Sequence, residues 1–343
     1  MSYSKVLILI LNWNGWRDTI ECLESVQRLD YPNYRVMVLD NQSSDQSINK
    51  IKEWAAGSLS CESNFLTYDA MRKPVKYIEY DRQTAEHGGV ADQEALLDTL
   101  TPEKGMVLVH TGGNLGFAGG NNVGLRYALA KGEYEYVWLL NNDTVVMPDA
   151  LDHMVERMIE EPKAGMCGST LLYYHNPEIV QALGGAKYNR WFATSRHIGS
   201  CTVRTQAVDR EAVEKQLDYV VGASLLVSAK MMFDIGIMNE EYFLYFEEID
   251  WATRSKGNYS LLYAQDSIVF HKEGASIGSS NDPLQKSCLS DYYSLKNRLR
   301  FTKHYYPHLL PATYIGLLIA LMNRMRRGQI DKAAMIIGIF GEA

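Results

Sequence analysis

A chain of 343 residues with 46% apolar and 22% charged side chains can bury one large core or two smaller ones, and wholesale disorder is excluded. Its net charge of −7 argues against a general nucleic-acid binder, while leaving room for a local basic site that takes a phosphorylated small molecule. The five cysteines, Cys22, Cys61, Cys167, Cys201 and Cys288, are odd in number and none share the close spacing of a zinc site, which reads as a reduced, cytoplasmic protein. The apolar start Val6–Leu11 has no cleavage site after it and does not read as a signal peptide.

Lys5–Leu11 is a buried-strand run, and Asn12-Trp13-Asn14-Gly15 is the loop after it. Asp18–Leu29 places Ile20, Leu23, Val26 and Leu29 on one helical face. A second strand, Arg35–Leu39, ends in Asp40-Asn41-Gln42-Ser43-Ser44-Asp45, where Ser44 or Asp45 can cap a helix to about Trp54. Strand, helix and strand with short loops make a right-handed βαβ unit, so both polar loops fall on one sheet edge. The stretch from about 55 to 105 is irregular and reads as an insertion or lid. It holds a candidate strand at Val75–Tyr80, a flexible loop at Gln83–Ala91 and a short helix at Ala91–Leu100.

Met106–His110 is the next strand, followed by a loop with five glycines and three asparagines in the twelve residues Thr111–Asn122, then a helix to about Lys131. The loop fits neither G-x-G-x-x-G nor a Walker loop. It reads as a place where backbone approaches a phosphate or sugar closely, against the plainer reading of a tight helix-packing turn. Tyr136–Leu140 is a buried strand ending in Asn141-Asn142-Asp143-Thr144, with a helix from Ala150 to Glu160. Asp143 thus stands at the carboxyl end of a central strand, where open α/β sheets bind ligands, although an Asx-turn capping the next helix explains the same residues.

A strand is expected near Gly165–Tyr173, a second mobile region at Gly184-Gly185 and Cys201–Gln216, an apolar strand at Leu217–Val227, and a short helix at Lys230–Ile235. Then aromatic residues precede Glu247-Glu248-Ile249-Asp250. Three carboxylates in a first helical turn are favoured by the helix dipole, and adjacent acids beside aromatics also suit a general base. Ser260–Phe270 is a further strand, and His271 follows it as the other polar loops follow theirs. From about Pro283 the chain reads as helical to its end. Leu309–Met322 is too short for a confident bilayer span. With Arg324, Arg326 and Arg327 it fits either an amphipathic helix on an anionic membrane surface or plain packing on the domain.

Taken in order, Val6–Gly15, Val38–Asp45, Gly113–Asn122, Leu140–Thr144, Phe246–Asp250 and His271–Ser276 resemble the family 2 glycosyltransferases, nearest the rhamnosyltransferase-like branch that builds surface polysaccharides. The resemblance covers roughly residues 5–305. It implies an α/β GT-A fold: a doubly wound, mostly parallel sheet whose Rossmann-like nucleotide-binding half is fused to an acceptor half. That body would span 1–285, insertion included, with C-terminal helices over 286–343. It implies inverting, metal-assisted transfer from a nucleotide-diphosphate sugar (dTDP-rhamnose-like or a UDP-sugar) to a glycan or lipid-linked glycan. Asp143 matches the last acid of the family's D-x-D motif, with Asn141 in place of the first. His271 matches a histidine near the Mg²⁺ or Mn²⁺ and the diphosphate. Asp40 matches the acid at the base, with Asn12 and Asn14 beside it, while Asn114, Gly120, Asn122 and Asn142 fall in donor-binding loops. Glu248 stands where the family usually has the catalytic Asp, and Glu247 and Asp250 stay open as the base. The cysteine usage places the chain in the cytoplasm, and the C-terminal helices allow peripheral contact at the inner membrane face. Two other readings compete. A nucleotidyltransferase would want a basic phosphate loop after the first strand, and a non-catalytic sugar-nucleotide or carbohydrate-binding protein would bind without turnover.

Overall fold

The computed structural model describes residues 3–273 and 287–342. Gly274, Ala275 and Ser276 of the histidine motif, and the expected helix start at Pro283, lie outside the described residues. The opening unit is β1 (Val6–Asn12), α1 (Trp16–Val26), β2 (Tyr34–Asp40) and α2 (Ser47–Ala56). α2 starts from Gln46 in the left-handed region, φ 65°, and Asp45 supports it by accepting the Ser47 N–H at 3.0 Å.

Residues 55–105 are structured: the first part reaches the second half of the molecule, where Phe65 stacks on Phe270 at 4.1 Å, and the rest follows the sheet edge. β3 (Lys76–Asp81) pairs in parallel with β4 (Gly105–His110) and forms one edge. The stretch expected as a flexible loop contains α3 (Arg82–Glu86), whose start is fixed by Asp81 accepting the Thr84 N–H at 2.7 Å. α4 (Ala91–Asp98) follows. The segment before β3 is pinned by Lys73, whose Nζ lies 3.1 Å from Glu24 Oε2 and 3.7 Å from the centre of the Trp54 ring.

The chain continues through α5 (Gly116–Lys131), β5 (Tyr136–Asn141), β6 (Thr144–Val146), α6 (Ala150–Glu160), β7 (Ala164–Tyr173) and β8 (Asn176–Leu183). β9 (Gly185–Asn189) and β10 (Thr194–His197) come next, with α7 (Arg210–Glu214) and β11 (Tyr219–Val220) after them. β12 (Ser224–Ser228), α8 (Ala229–Ile235), α9 (Glu247–Ser255) and β13 (Ser260–His271) complete the body. The region expected to be mobile around Gly184-Gly185 is instead β8 and the small antiparallel sheet β10-β9-β11. The single strand expected over Leu217–Val227 is broken between β11 and β12, because the Gly222 N–H turns to the Glu248 carboxylate at 3.2 Å.

The main sheet runs β3-β4-β2-β1-β5-β12-β7-β13-β6. The strands from β3 to β5 are parallel; β12 is antiparallel to both β5 and β7 and joins the halves without a gap. Both faces are covered. Val6, Ile8 and Ile10 of β1 join one core layer with Trp54 and Trp138, while Leu7 and Leu9 join the other with Tyr127 and Trp251. Burial on both faces is why this strand reads as an unbroken apolar run.

α10 (Cys288–Tyr305), α11 (Leu310–Arg326) and α12 (Ile330–Glu342) pack together around Leu295, Leu299, Leu317, Ile336 and Ile339. Arg324 of α11 makes a paired contact to both oxygens of Asp291 on α10, at 2.8 and 2.9 Å. Among the described residues, no helix is long and apolar enough to cross a membrane.

Candidate active site

Parallel strands β1, β2, β4 and β5 end on one edge, so their loops converge there. Asn12 Nδ2 donates to Asp40 Oδ1 at 2.7 Å and to Ser43 Oγ at 2.9 Å, tying the first loop to the second. Asp40 Oδ2 accepts the Ser43 N–H at 3.0 Å, and Asn14 Oδ1 accepts the Ser44 N–H at 2.7 Å. Asn41 links the second loop to the Gly-rich one. It accepts the Leu115 N–H at 3.1 Å and donates to Asn114 Oδ1 at 3.2 Å. Asn142 donates to Thr19 Oγ1 at 3.0 Å. These bonds leave a cleft of about 120 Å³ lined by Trp13, Asn41, Asn114, Asn142, Asp143 and His271, among others. Two larger hollows, of about 780 and 710 Å³, lie elsewhere, around Thr170 and Tyr263 and around Tyr188 and Trp191, and contain none of the sheet-edge polar groups.

Asp143 and His271 are brought together by topology. After β5 the chain crosses to pair β6 with β13, in a register that sets Thr144 opposite His271. The Lys272 N–H donates to the Asp143 carbonyl at 3.0 Å, and His271 Nε2 lies 3.2 Å from Asp143 Oδ1. Nδ1 of the same ring sits 2.9 Å from Gln181 Oε1, which favours the tautomer with hydrogen on Nδ1 and a lone pair on Nε2. Nε2 is buried and off the line that a hydrogen bond needs. Burial pulls this imidazole toward its neutral form, but the Asp143 charge outweighs it and lifts the group above its ordinary value. One imidazole nitrogen and one carboxylate oxygen, both buried, are two of the ligands a divalent cation would need, with Gln181 holding the ring as an outer-shell partner; no cluster of three or more such side chains occurs among the described residues, so the other ligands would come from the diphosphate and water. Lys272, next in sequence, is engaged by Asp18 and Glu21, both at 2.5 Å.

The carboxylates arrive on α9 through a turn in which Phe243, Tyr245 and Phe246 all adopt positive φ, at 28°, 67° and 79°. The turn is gripped from both sides. On one side its Phe243 carbonyl accepts the Phe117 N–H at 2.6 Å, and Gly116, φ 71°, is needed there because a β-carbon would collide with that carbonyl. On the other, Asn297 Nδ2 of α10 reaches the carbonyls of Tyr242, Leu244 and Tyr245 at 3.2, 2.9 and 3.0 Å. Glu248 accepts from the Gly222 N–H, and a side chain at 222 would strike its Oε1 and crowd Phe117, which lines the cleft. Burial raises the Glu248 carboxyl, although it keeps partial exposure and its backbone contacts oppose the shift. Burial, and then the neighbouring Glu248 charge, hold Glu247 well above the usual carboxylate range, and its Oε2 has no hydrogen-bond partner.

The third carboxylate is placed differently. Asp250 is buried, with Oδ2 accepting from Arg254 Nε at 2.8 Å and Oδ1 accepting from Tyr305 at 2.7 Å, so it is committed to an ion pair and not free to take a substrate proton. Asn122 also departs from the expected donor role: its Nδ2 donates to the Met238 carbonyl and to Glu240 Oε1, both at 2.9 Å, fixing α5 against the segment before α9. Gly120 gives close packing of α5 against Leu11 and Asn41 and does not line the cleft. Both residues lie on the helix because α5 begins at Gly116, inside the stretch expected to be a loop. Asn12, Asn14 and Asp40 hold the loops beside the cleft, whereas Asn114, Asn142, Asp143 and His271 line it. Sequence reasoning missed Gln181 and Asn297, which carry no local pattern. It also passed over Asn41 as a site residue, though its place after a strand end was a usable signal.

The fold matches a mannosyltransferase from Pyrobaculum calidifontis in complex with GDP-Man and Mn²⁺, at a TM-score of 0.53 and 13% identity over 100% of this chain and 87% of that one. It also matches GalNAc-T7 with UDP, GalNAc and Mn²⁺, at a TM-score of 0.54 and 13% identity over 90% of this chain and 49% of that one. This is the GT-A fold. Residues 92–217 match the family model described as Glycosyl transferase family 2. It is 26% identical over 148 residues to the low-salt glycan biosynthesis hexosyltransferase Agl10 of Haloferax volcanii, covering 43% of this chain and 45% of that protein. The chain thus spans less than half the length of that relative in the match.

Proposed function

We propose that the chain moves a sugar, with inversion, from a nucleoside-diphosphate sugar to a hydroxyl of a glycan or lipid-linked glycan. The observation that carries this reading is the Asp143–His271 pair, with the buried imidazole Nε2 lacking a hydrogen bond, in a cleft at the carboxyl edge of the sheet. The donor's diphosphate lies in that cleft, against the Asn114 and Asn142 loops, with the base near Asn12, Asn14 and Asp40. Asp143 and His271 would hold Mg²⁺ or Mn²⁺, which when bound supplies charge stabilisation for the departing diphosphate. The Mn²⁺ in the two fold neighbours supports this assignment. Residues 1–285 form the catalytic body and 286–343 a helical extension.

Glu248 is the proposed base. It takes the proton of the acceptor hydroxyl as that oxygen bonds to the anomeric carbon. The bond from this carbon to the diphosphate oxygen breaks, and the nucleoside diphosphate leaves with the electron pair. A single displacement of this kind inverts the anomeric centre. A half-buried carboxyl with a raised proton affinity suits the task. Glu247 sits behind it, buried and biased toward the protonated form.

The test is thermal stabilisation by thymidine, uridine and guanosine diphosphates, with and without Mn²⁺, on wild type and Asp143→Ala. Ligand well above its dissociation constant should add about 2–4 kcal/mol. One base giving a cation-dependent shift that the mutant loses supports the reading and names the donor. A shift that ignores both the cation and the mutation overturns the assignment of Asp143. Binding without turnover over a broad acceptor panel would favour a carbohydrate-binding protein on the same fold.

A further inference from the structure

The helical extension carries a second polar–apolar site outside the cleft. Lys296, Arg300, Lys303 and His304 recur on one face of α10, at the spacing that aligns side chains along a helix. They line one wall of a groove of about 400 Å³ whose floor includes Leu310, Tyr314 and Ile339 of α11 and α12. Part of this basic wall is already oriented: Arg300 donates to the Glu241 carbonyl at 2.7 Å and pairs with the Glu241 carboxylate at 3.2 Å, and Lys296 donates to Tyr292 Oη at 2.7 Å.

Beside the groove, α11 exposes Ile315, Leu318, Ile319, Met322 and Met325, each at least 48% accessible. They follow one helical stripe, and α11 contains no acidic residue along its length. Ile330 and Ile337 of α12 are likewise exposed, at 67% and 59%. Seven of the nineteen exposed large apolar residues among the described residues therefore lie on this one helix pair. Arg326 and Arg327 stand exposed at its turn. Residues 287–343 hold eight Lys and Arg against three Asp and Glu, in a chain of net charge −7. An apolar stripe with cationic margins is the pattern of a helix lying in a lipid interface, and its charge complements an anionic bilayer.

We infer that α11 and α12 lie on an anionic membrane surface, and that the groove beside α10 takes the phosphate head of a lipid in that surface. The stripe enters the acyl boundary, the α10 cations meet the phosphate, and the groove floor contacts the first carbons of the chain. α10 links the two sites, because Leu289 near its start lines the donor cleft and its basic face begins about 10 Å further on. A lipid-borne acceptor would thus be presented at the mouth of the cleft; that last step rests on the transferase reading, while the membrane contact does not.

The test is flotation of the full chain with vesicles of phosphatidylcholine alone, and of phosphatidylcholine with about one-third phosphatidylglycerol. The expected result is binding to the anionic vesicles only, weakened by salt. It should fall about tenfold or more in Lys296→Glu/Lys303→Glu, and similarly in Ile319→Asp/Met322→Asp. Nucleoside-diphosphate stabilisation with Mn²⁺, measured in parallel, should be unchanged in both variants. Failure of that signal in wild type sinks the transferase reading and leaves the lipid result standing. Absence of flotation, equal binding to neutral vesicles, or saturation of the basic groove by millimolar inorganic phosphate with no vesicle binding would each overturn the inference. So would a stable dimer in solution that Ile319→Asp/Met322→Asp converts to monomer, since the stripe would then be an interface between copies.

Discussion

Replacing Asn297 by alanine should loosen the turn that delivers the proposed base, Glu248. Asn297 is 1% exposed, and its two N–H groups serve three backbone carbonyls, of Tyr242, Leu244 and Tyr245. Around them Phe243, Tyr245 and Phe246 hold positive φ, a conformation costing about 1–3 kcal/mol per residue unless its surroundings enforce it. The alanine variant removes two net hydrogen bonds and leaves buried carbonyls bare, each worth about 1–3 kcal/mol. The expected loss of stability is about 2–4 kcal/mol, read as a lower urea midpoint at unchanged slope. Glu248 would lose its placement, so turnover should fall on the order of tenfold to a hundredfold, with nucleoside-diphosphate affinity nearly constant. Asn297→Asp sharpens the test. It keeps the shape but turns a carboxylate against three carbonyls, and it should be at least as damaging as alanine. An aspartate variant with wild-type stability and turnover would refute the reasoning.

The two glutamates should separate cleanly. Glu248→Gln should cut turnover on the order of 10²–10⁴-fold while cation-dependent donor binding persists, as a thermal-shift titration would show. Glu247→Gln acts on stability instead. Because burial and the Glu248 charge raise its carboxyl, the folded chain keeps a proton that the unfolded chain has released. Stability therefore declines as pH rises from the ordinary carboxylate value toward the raised one. The glutamine variant should flatten that decline and be more stable at neutral pH by about 1 kcal/mol or more, checked by urea midpoints at about pH 5 and pH 8. Lys73→Ala should destabilise by about 3 kcal/mol, the low end for breaking a buried pair, because Glu24 keeps Arg28 at 3.2 Å and Trp54 Nε1 at 3.0 Å. A midpoint within error of wild type would discount that pair as the clamp on the 55–105 segment.

Much of the parallel half was legible because its strands are buried on both faces and read as apolar runs ending in polar loops. The four strand ends of Asn12, Asp40, His110 and Asn141 follow directly from that pattern. The second half was less legible. β9 and β10 carry Lys187, Ser195 and Arg196 on a small, partly solvated sheet, so no apolar period announced them. The approach of Asp143 to His271 depends on β6, a three-residue strand that finds its partner far along the chain, and short local sequence cannot encode that choice. Asn297 reads as one more polar residue on a helix. Its role appears only when a backbone 52 to 55 positions earlier folds against it.

The antiparallel strand β12 has a consequence for how such proteins diversify. It hydrogen-bonds to β5 through five paired positions, from Ser224 with Leu140 to Ser228 with Tyr136, and to β7 on its other side. A chimera that exchanged one half of the molecule between relatives would have to re-form this ladder in the middle of the core, where a one-residue slip inverts every side chain. On the transferase reading, preferences for donor and acceptor are therefore not portable as separate cassettes. They can change independently only through the loops at the sheet edge, while the seam itself is inherited whole.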